Sequence, residues 1–264
     1  TISYSVAENM TNTQVIINTT PVGMYPNIDN LLIDVDKYPD LCGVFDVIYN
    51  PIRSKLVLSA LNRGIVAVGG LYMLVAQAVF AVEKFKNINV PYEKIDDIFK
   101  DILNQKQNVV LIGMPGSGKS TAGELLANDL NVDFIDTDAL ITEKYGDISD
   151  IFTNVGESGF REIEADIIKE IAVLQGKVIA TGGGAVLRRE NIEFLKQNGK
   201  IYFLDRPLEL ITATTDRPLS QTKQALEQRY NERYEIYCDS CDERIISNGT
   251  VQDTVNEIKG DFLK

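Results

Sequence analysis

One stretch of this chain has the residue types and spacing to hold phosphate. Residues 113–120 read G-M-P-G-S-G-K-S, a full match to G-x-x-x-x-G-K-[ST]. The apolar run 109–112 precedes it as a strand. Residues 121–130 follow as a helix, with Ala122, Leu125, Leu126 and Leu130 on one side. Gly116 and Gly118 let the backbone turn so that its N–H groups, including those of Ser117 and Thr121, face phosphate oxygens. The helix start adds roughly half a positive charge at the same place. Lys119 is placed to reach the β/γ-phosphates and Ser120 to ligate Mg²⁺ through its hydroxyl, so ATP with Mg²⁺ is the expected ligand. Such a loop specifies a nucleotide and leaves the acceptor open, because ATPases, GTPases and small-molecule kinases share it.

Further groups downstream could form an acceptor site. Asp136 and Asp138, in F-I-D-T-D, end a strand, where ligands of open parallel sheets sit. Two residues apart on extended backbone, they would point the same way. Asp136 would then serve the Mg²⁺ shell and Asp138 an acceptor hydroxyl; as helix N-caps they would do neither, and the residues alone leave both readings open. Arg161, near the start of a helix opened by G-F-R-E-I-E at 159–164, has the wrong sign for helix stability and the right one for an anionic ligand. Gly182, Gly183 and Gly184 follow a strand and would expose N–H groups at close approach. Arg217, in D-R-P-L within a Thr- and Ser-rich stretch, suits a lid over transferring phosphate. Arg229 and Arg233 stand one helical turn apart; Arg229 reads as part of a solvated face.

The elements that must position these groups alternate strand and helix on both sides of a boundary at 87–107. On the first side, 14–18, 44–49 and 65–68 read as short buried strands, and 53–63 and 71–86 as helices. On the second, the strands are 109–112, 133–136, 177–181, 200–204 and 243–246. Alternation of this kind predicts parallel sheets covered on both faces. Between them, 92–105 places Tyr92, Ile95, Ile98, Phe99 and Ile102 at helical spacing, an amphipathic connecting helix.

Composition narrows the chemistry. The chain contains no histidine, which removes His-based acid–base catalysis and His-ligated metals. Cys42, Cys238 and Cys241 are too few for a disulfide framework, and one C-x-x-C without histidine is poor zinc chemistry. The net charge of −12 falls mostly on residues 108–264, which carry 17 basic and 27 acidic side chains. Such a surface repels nucleic acid and anionic membranes, so nucleotide binding requires a local cationic pocket. The apolar run 65–82 is interrupted by Gly69, Gly70, Tyr72 and Gln77, short of a membrane span. Cytoplasmic residence is expected, and the Thr1 start reads as that of a processed, trimmed or partial chain.

Residues 108–264 resemble the shikimate kinases. The resemblance rests on G-M-P-G-S-G-K-S, D-T-D, I-F-x₇-F-R-x-x-E, G-G-G, D-R-P-L and R-x₃-Y, in that order. It implies a nucleoside-monophosphate-kinase-like P-loop fold, a three-layer αβα domain with a parallel sheet. It implies phosphorylation of shikimate by ATP in aromatic amino-acid synthesis. By resemblance, Asp136 is an outer-shell Mg²⁺ carboxylate and Asp138 binds the acceptor hydroxyls and takes the proton. Arg161, Gly183 and Arg233 clamp shikimate, and Arg217 is the lid arginine on the phosphates. Phe152, Phe160, Glu164 and Pro218 line or support the pocket. Leu210 occupies the place of the family's adenine-stacking arginine, which leaves the loop 247–250 for adenine contacts.

Residues 1–90 resemble the C-terminal part of shikimate dehydrogenase, a partial Rossmann-type α/β segment. N-T-T-P-V-G-M at 18–24, D-V-I-Y-N-P at 46–51 and G-G-L-Y-M-L-V-A-Q-A at 69–78 carry this likeness. It implies Tyr49 and Gln77 at shikimate, and Val47 and Gly70 at NADP⁺. The family's Gly-rich dinucleotide turn and catalytic Lys/Asp pair are absent. The chain is therefore read as part of a dehydrogenase–kinase fusion, with no dehydrogenase activity of its own and NADP⁺ required only if an upstream half is present. ATP and shikimate are the expected partners, with a monomeric kinase domain. The competing readings are another small-molecule P-loop kinase, such as a gluconate kinase, an intact oxidoreductase, and a non-catalytic nucleotide-binding module.

Overall fold

The structure, a computed structural model, describes residues 6, 9–211 and 223–264. The chain divides into two compact units, Thr1–Gln105 and Lys106–Lys264.

The first unit holds three parallel strands in the order β1 (Val15–Asn18), β2 (Gly43–Asp46), β3 (Val66–Val68). Helix α1 (Lys55–Asn62) starts at Ser54, whose hydroxyl accepts from the Val57 N–H. Ile16 and Val44 pack with Val35, Tyr38, Leu41, Leu56 and Ala60 on one face of the sheet. The side chains pointing the other way, Val15, Ile17, Val66 and Val68, are exposed. The expectation of a sheet covered on both faces fails here. Among the described residues no helix core forms over the second face, so strand alternation leaves the outward side chains of β1 and β3 in water and Phe45 of β2 partly exposed. Strand β2 also ends at Asp46 and not at Tyr49, so Val47 and Tyr49 lie in the loop beyond it. Helices α2 (Leu71–Lys86) and α3 (Tyr92–Lys106) pack on each other through Val75, Val79 and Ile95.

A buried carboxylate ties the first unit together. Asp46 is fully buried. Its Oδ1 accepts from Asn18 Nδ2 and from the Ile48 N–H, both at 3.1 Å, and its Oδ2 accepts from the Ser54 hydroxyl. The carboxylate therefore links β1, β2 and the cap of α1.

The second unit is built on five parallel strands in the order β5-β6-β4-β7-β8. These are β4 (Asn108–Ile112), β5 (Phe134–Asp136), β6 (Val178–Ala180), β7 (Gly199–Asp205) and β8 (Glu243–Ile246). All five residues of β4 are buried, as a central parallel strand requires. Val109 and Leu111 face Ala122, Leu126, Val255 and Ile258 from helices α4 (Lys119–Leu130) and α9 (Val251–Phe262). Val110 and Ile112 face the opposite layer, which includes Ile168, Ile171, Leu195 and Tyr237. That layer comes from α6 (Ile148–Ala172), α7 (Arg189–Asn198) and α8 (Lys223–Ser240). The short helix α5 (Thr137–Tyr145) follows β5 directly. No helix among the described residues is long and apolar enough to cross a membrane.

Candidate active site

The carboxyl ends of β4, β5 and β6 lie side by side in register, and each feeds a polar segment into one cleft. Its lining includes Pro115, Gly116, Lys119, Ser120, Asp136, Asp138, Phe152, Phe160, Arg161, Glu164, the glycines 182–184, Arg229 and Arg233. A crevice beyond strand ends, where the chain leaves β4 in both directions across the sheet, is the expected ligand position of such a fold. Four cationic side chains converge there on an otherwise acidic unit, the local reversal of sign that an anionic nucleotide requires.

The loop after β4 curls around Lys119, whose ammonium donates to the carbonyls of Gly113 at 2.9 Å and Met114 at 3.0 Å. The next residue, Ser120, donates to Asp136 Oδ2 at 2.6 Å. The other oxygen, Asp136 Oδ1, caps α5 by accepting from the N–H of Asp138 at 2.9 Å and of Ala139 at 3.2 Å. One carboxylate thus serves the helix with one oxygen and faces the loop with the other. The premise that Asp136 and Asp138 share an extended segment is corrected: β5 stops at Asp136 and Asp138 lies in the first turn of α5. A helix that begins within the D-T-D triplet still places both carboxylates on the cleft.

Helix α6 is broken at Gly156, where φ is 71° and ψ −178°. Phe152 before the break and Phe160 after it stack at 4.6 Å. Arg161 is therefore more than a turn inside the post-break helix, and its charge is answered locally. Its Nη1 donates to Glu164 Oε2 at 2.7 Å and its Nη2 to Glu157 Oε1 at 3.3 Å. The reading of Arg161 as a helix-start cation of unfavourable sign is corrected accordingly. Glu164 is fully buried, and its Oε1 has no hydrogen-bond partner among the described residues. Burial, opposed by Arg161 and reinforced by Asp138, pushes the Glu164 carboxyl above its usual range.

The triple glycine acts through close packing more than through free amides. The Gly182 N–H donates to Thr137 Oγ1 at 2.9 Å. A Cβ at Gly182 would stand 2.6 Å from Asp138 Oδ1 and 2.8 Å from Glu164 Oε1; one at Gly183 would stand 2.6 Å from Pro115; one at Gly184 would overlap the Arg161 guanidinium. These three positions bring the carboxylates, the phosphate loop and the arginine to one backbone. The Gly183 carbonyl accepts from Arg233 Nη1 at 3.0 Å and from the Tyr237 hydroxyl, which burial pushes up to about 12 and keeps as a donor.

The structure thus gathers Lys119, Ser120, Asp136, Asp138, Arg161, Gly183 and Arg233 in one place. Arg217 and Pro218 lie outside the described residues. Arg229, read from the sequence as solvated, lines the cleft instead, because the packing of α8 beside the glycine loop turns both arginines inward. In the first unit, Gly70 donates its N–H to the Ile48 carbonyl at 2.8 Å, and a Cβ there would overlap the Val47 carbonyl, so these two segments are close. Tyr49 and Gln77 are exposed, on the loop after β2 and on α2.

The family model for shikimate kinase matches residues 115–262. The shikimate kinase of Clostridium botulinum (strain Alaska E43 / Type E3) is 45% identical over 159 residues, covering 58% of this chain and 96% of its own. The chain belongs to the shikimate kinase family. A shikimate kinase from Acinetobacter baumannii in complex with shikimate superposes with a TM-score of 0.59 at 35% identity, over 62% of this chain and 97% of that one. That agreement covers nearly all of that chain, so the parallel sheet of the second unit is the family's fold. A chorismate mutase/shikimate 5-dehydrogenase fusion protein from Clostridium acetobutylicum overlaps 38% of this chain at 35% identity with a TM-score of 0.36, too slight to bear on the first unit's activity.

Proposed function

We propose that the second unit transfers the γ-phosphoryl group of ATP to a hydroxyl of shikimate, giving 3-phosphoshikimate. The observation that carries this is the meeting of a phosphate loop, the carboxylates of Asp136 and Asp138 and an arginine cluster in one cleft of a shikimate kinase family member. Phosphoryl transfer asks little covalent chemistry of the protein. Positioning and charge neutralisation supply most of the rate. The loop amides and Lys119 would take the phosphates, the ammonium exchanging the carbonyls of Gly113 and Met114 for phosphate oxygens.

Ser120 fits Mg²⁺ as a hard hydroxyl ligand, and Asp136, whose Oδ2 accepts from that hydroxyl at 2.6 Å, fits the outer shell, since this ion takes few protein ligands beside water and phosphate. When bound, Mg²⁺ would neutralise charge on the β- and γ-phosphates. Asp138 would orient the acceptor hydroxyl and accept its proton. The forked donors of Arg161 and Arg233, with the Gly183 backbone, would hold the acceptor's carboxylate. Arg217 is assigned the phosphate-covering role on its motif alone. For residues 1–90, the motif likeness to shikimate dehydrogenase remains the support for a dehydrogenase-derived segment.

An ADP-release assay tests the assignment. It should respond to shikimate and not to gluconate or nucleoside monophosphates. Asp138→Asn should lower kcat by about 100-fold or more, and Arg161→Ala should lose most of the activity. A response to gluconate would transfer the assignment to another small-molecule kinase. Full ATP affinity with no turnover on any acceptor would leave a nucleotide-binding module.

A further inference from the structure

The three arginines of the cleft are not equally satisfied. Arg161 is paired with Glu164 and Glu157, though its Nε is buried without a partner among the described residues, and Arg233 donates to the Gly183 carbonyl. Arg229 lines the same cleft, and its buried Nη1 meets no acceptor among the described residues. An unsatisfied buried donor is costly, more so on a charged group. A guanidinium cannot escape by losing its proton in any ordinary pH range. Burial and the neighbouring Arg233 both disfavour its charge, while Glu157 and Glu232 favour it. Glu157 pairs with Arg161, so these neighbours place Arg229 on the wall of Arg161 and Arg233.

We propose that Arg229 is a third acceptor-binding guanidinium, which donates to the acceptor's carboxylate beside Arg161 and Arg233. This rests on the reading of the acceptor as shikimate. A carboxylate offers two oxygens and about four lone-pair directions, enough for three arginine contacts. Its arrival would satisfy the buried Nη1 and offset the repulsion between the arginines at once. A neutral acceptor of the same shape would do neither. Arg229 therefore selects for an anionic acceptor and contributes little to the transfer step.

Steady-state kinetics of the full chain, with shikimate and with its neutral carboxamide as acceptors, tests the proposal. Arg229→Gln should raise KM for shikimate by about 10- to 100-fold, as expected for a charge-assisted contact. KM for ATP and kcat should stay within about threefold. For the carboxamide, the wild-type and variant values should nearly coincide. Arg229→Lys should restore part of the shikimate KM; should the glutamine variant fail to fold, the lysine variant carries the test, with a several-fold KM increase confined to shikimate. Equal losses on both acceptors, or an unchanged KM for shikimate, would overturn the proposal while leaving the kinase assignment intact. Wild-type protein that ignores shikimate altogether would overturn both.

Discussion

Among the described residues each unit buries one carboxylate completely, and the two are treated in opposite ways. Asp46 in the first unit has both oxygens engaged, by Asn18, the Ile48 amide and Ser54. Glu164 in the second has one oxygen on Arg161 and the other without a partner, facing Gly182 beside Asp138. A buried charge with every lone pair used holds chain segments together. One left short, at the edge of a cleft, is held in readiness for something else. The surroundings agree. Asp46 sits at the end of a sheet with one exposed aliphatic face, whereas Glu164 lies beside strands buried on both faces.

The contrast can be broken by substitution. The largest expected effect is Asp46→Ala, which strands the side chains of Asn18 and Ser54 and the Ile48 amide. It should cost roughly 3–5 kcal/mol in denaturant unfolding of the full chain, with the kinase rate kept within about twofold under native conditions. Loss of activity without loss of stability would reverse the roles assigned here. Next comes Glu164→Gln, which keeps the shape and removes the charge that aligns Arg161. It should lower phosphoryl transfer by about 10- to 100-fold and change stability by only about 1 kcal/mol.

The same variant carries a pH signature. The folded-state pKa of Glu164 is raised, so between the unfolded value, about 4.3, and the folded one, the native state holds the extra proton. Wild-type stability should therefore fall relative to Glu164→Gln as pH rises through that window. A parallel pair of stability curves would contradict the assignment. The smallest effect is a reference point on the surface. Thr250 and Asp253 form a reciprocal cap on α9, and Thr250→Ala should cost about 1 kcal/mol in denaturant unfolding, with any kinetic effect confined to KM for ATP because Thr250 ends the loop expected at adenine.

Much of the second unit, and one helix of the first, could be read directly. The phosphate loop was legible because its glycines, lysine and serine form a complete local pattern between a strand and a helix. Helix 71–86 and strand 243–246 were placed to the residue, because Gly70 and Asn87 bracket the one and polar neighbours the other. Asp138 was misplaced onto extended backbone because nothing in D-T-D marks that Asp136 is already a cap. Arg229 was missed for a different reason: two arginines a turn apart on a polar helix look solvated, and only the packing of α8 against the glycine loop turns them inward. The crowding at Gly182 and Gly184 belongs to atoms distant in sequence, so no local pattern announces it. In the first unit, the alternation of strands with helices suggested covered faces, but the covering elements are a property of the whole domain.

The break at Gly156 has a consequence for how this cleft can diverge. A Cβ there would meet no atom within 4 Å, so room is not the restriction; the positive φ is. The aromatic wall residues Phe152 and Phe160, unlike the glycines 182–184, can change size in small steps. At 156 any replacement favours a continuous helix, which would swing Phe152 off Phe160 and redraw the cavity's outline in one jump. Relatives bearing a side chain at this joint should differ from the present enzyme in acceptor shape, and that difference could be scored from their sequences without a structure.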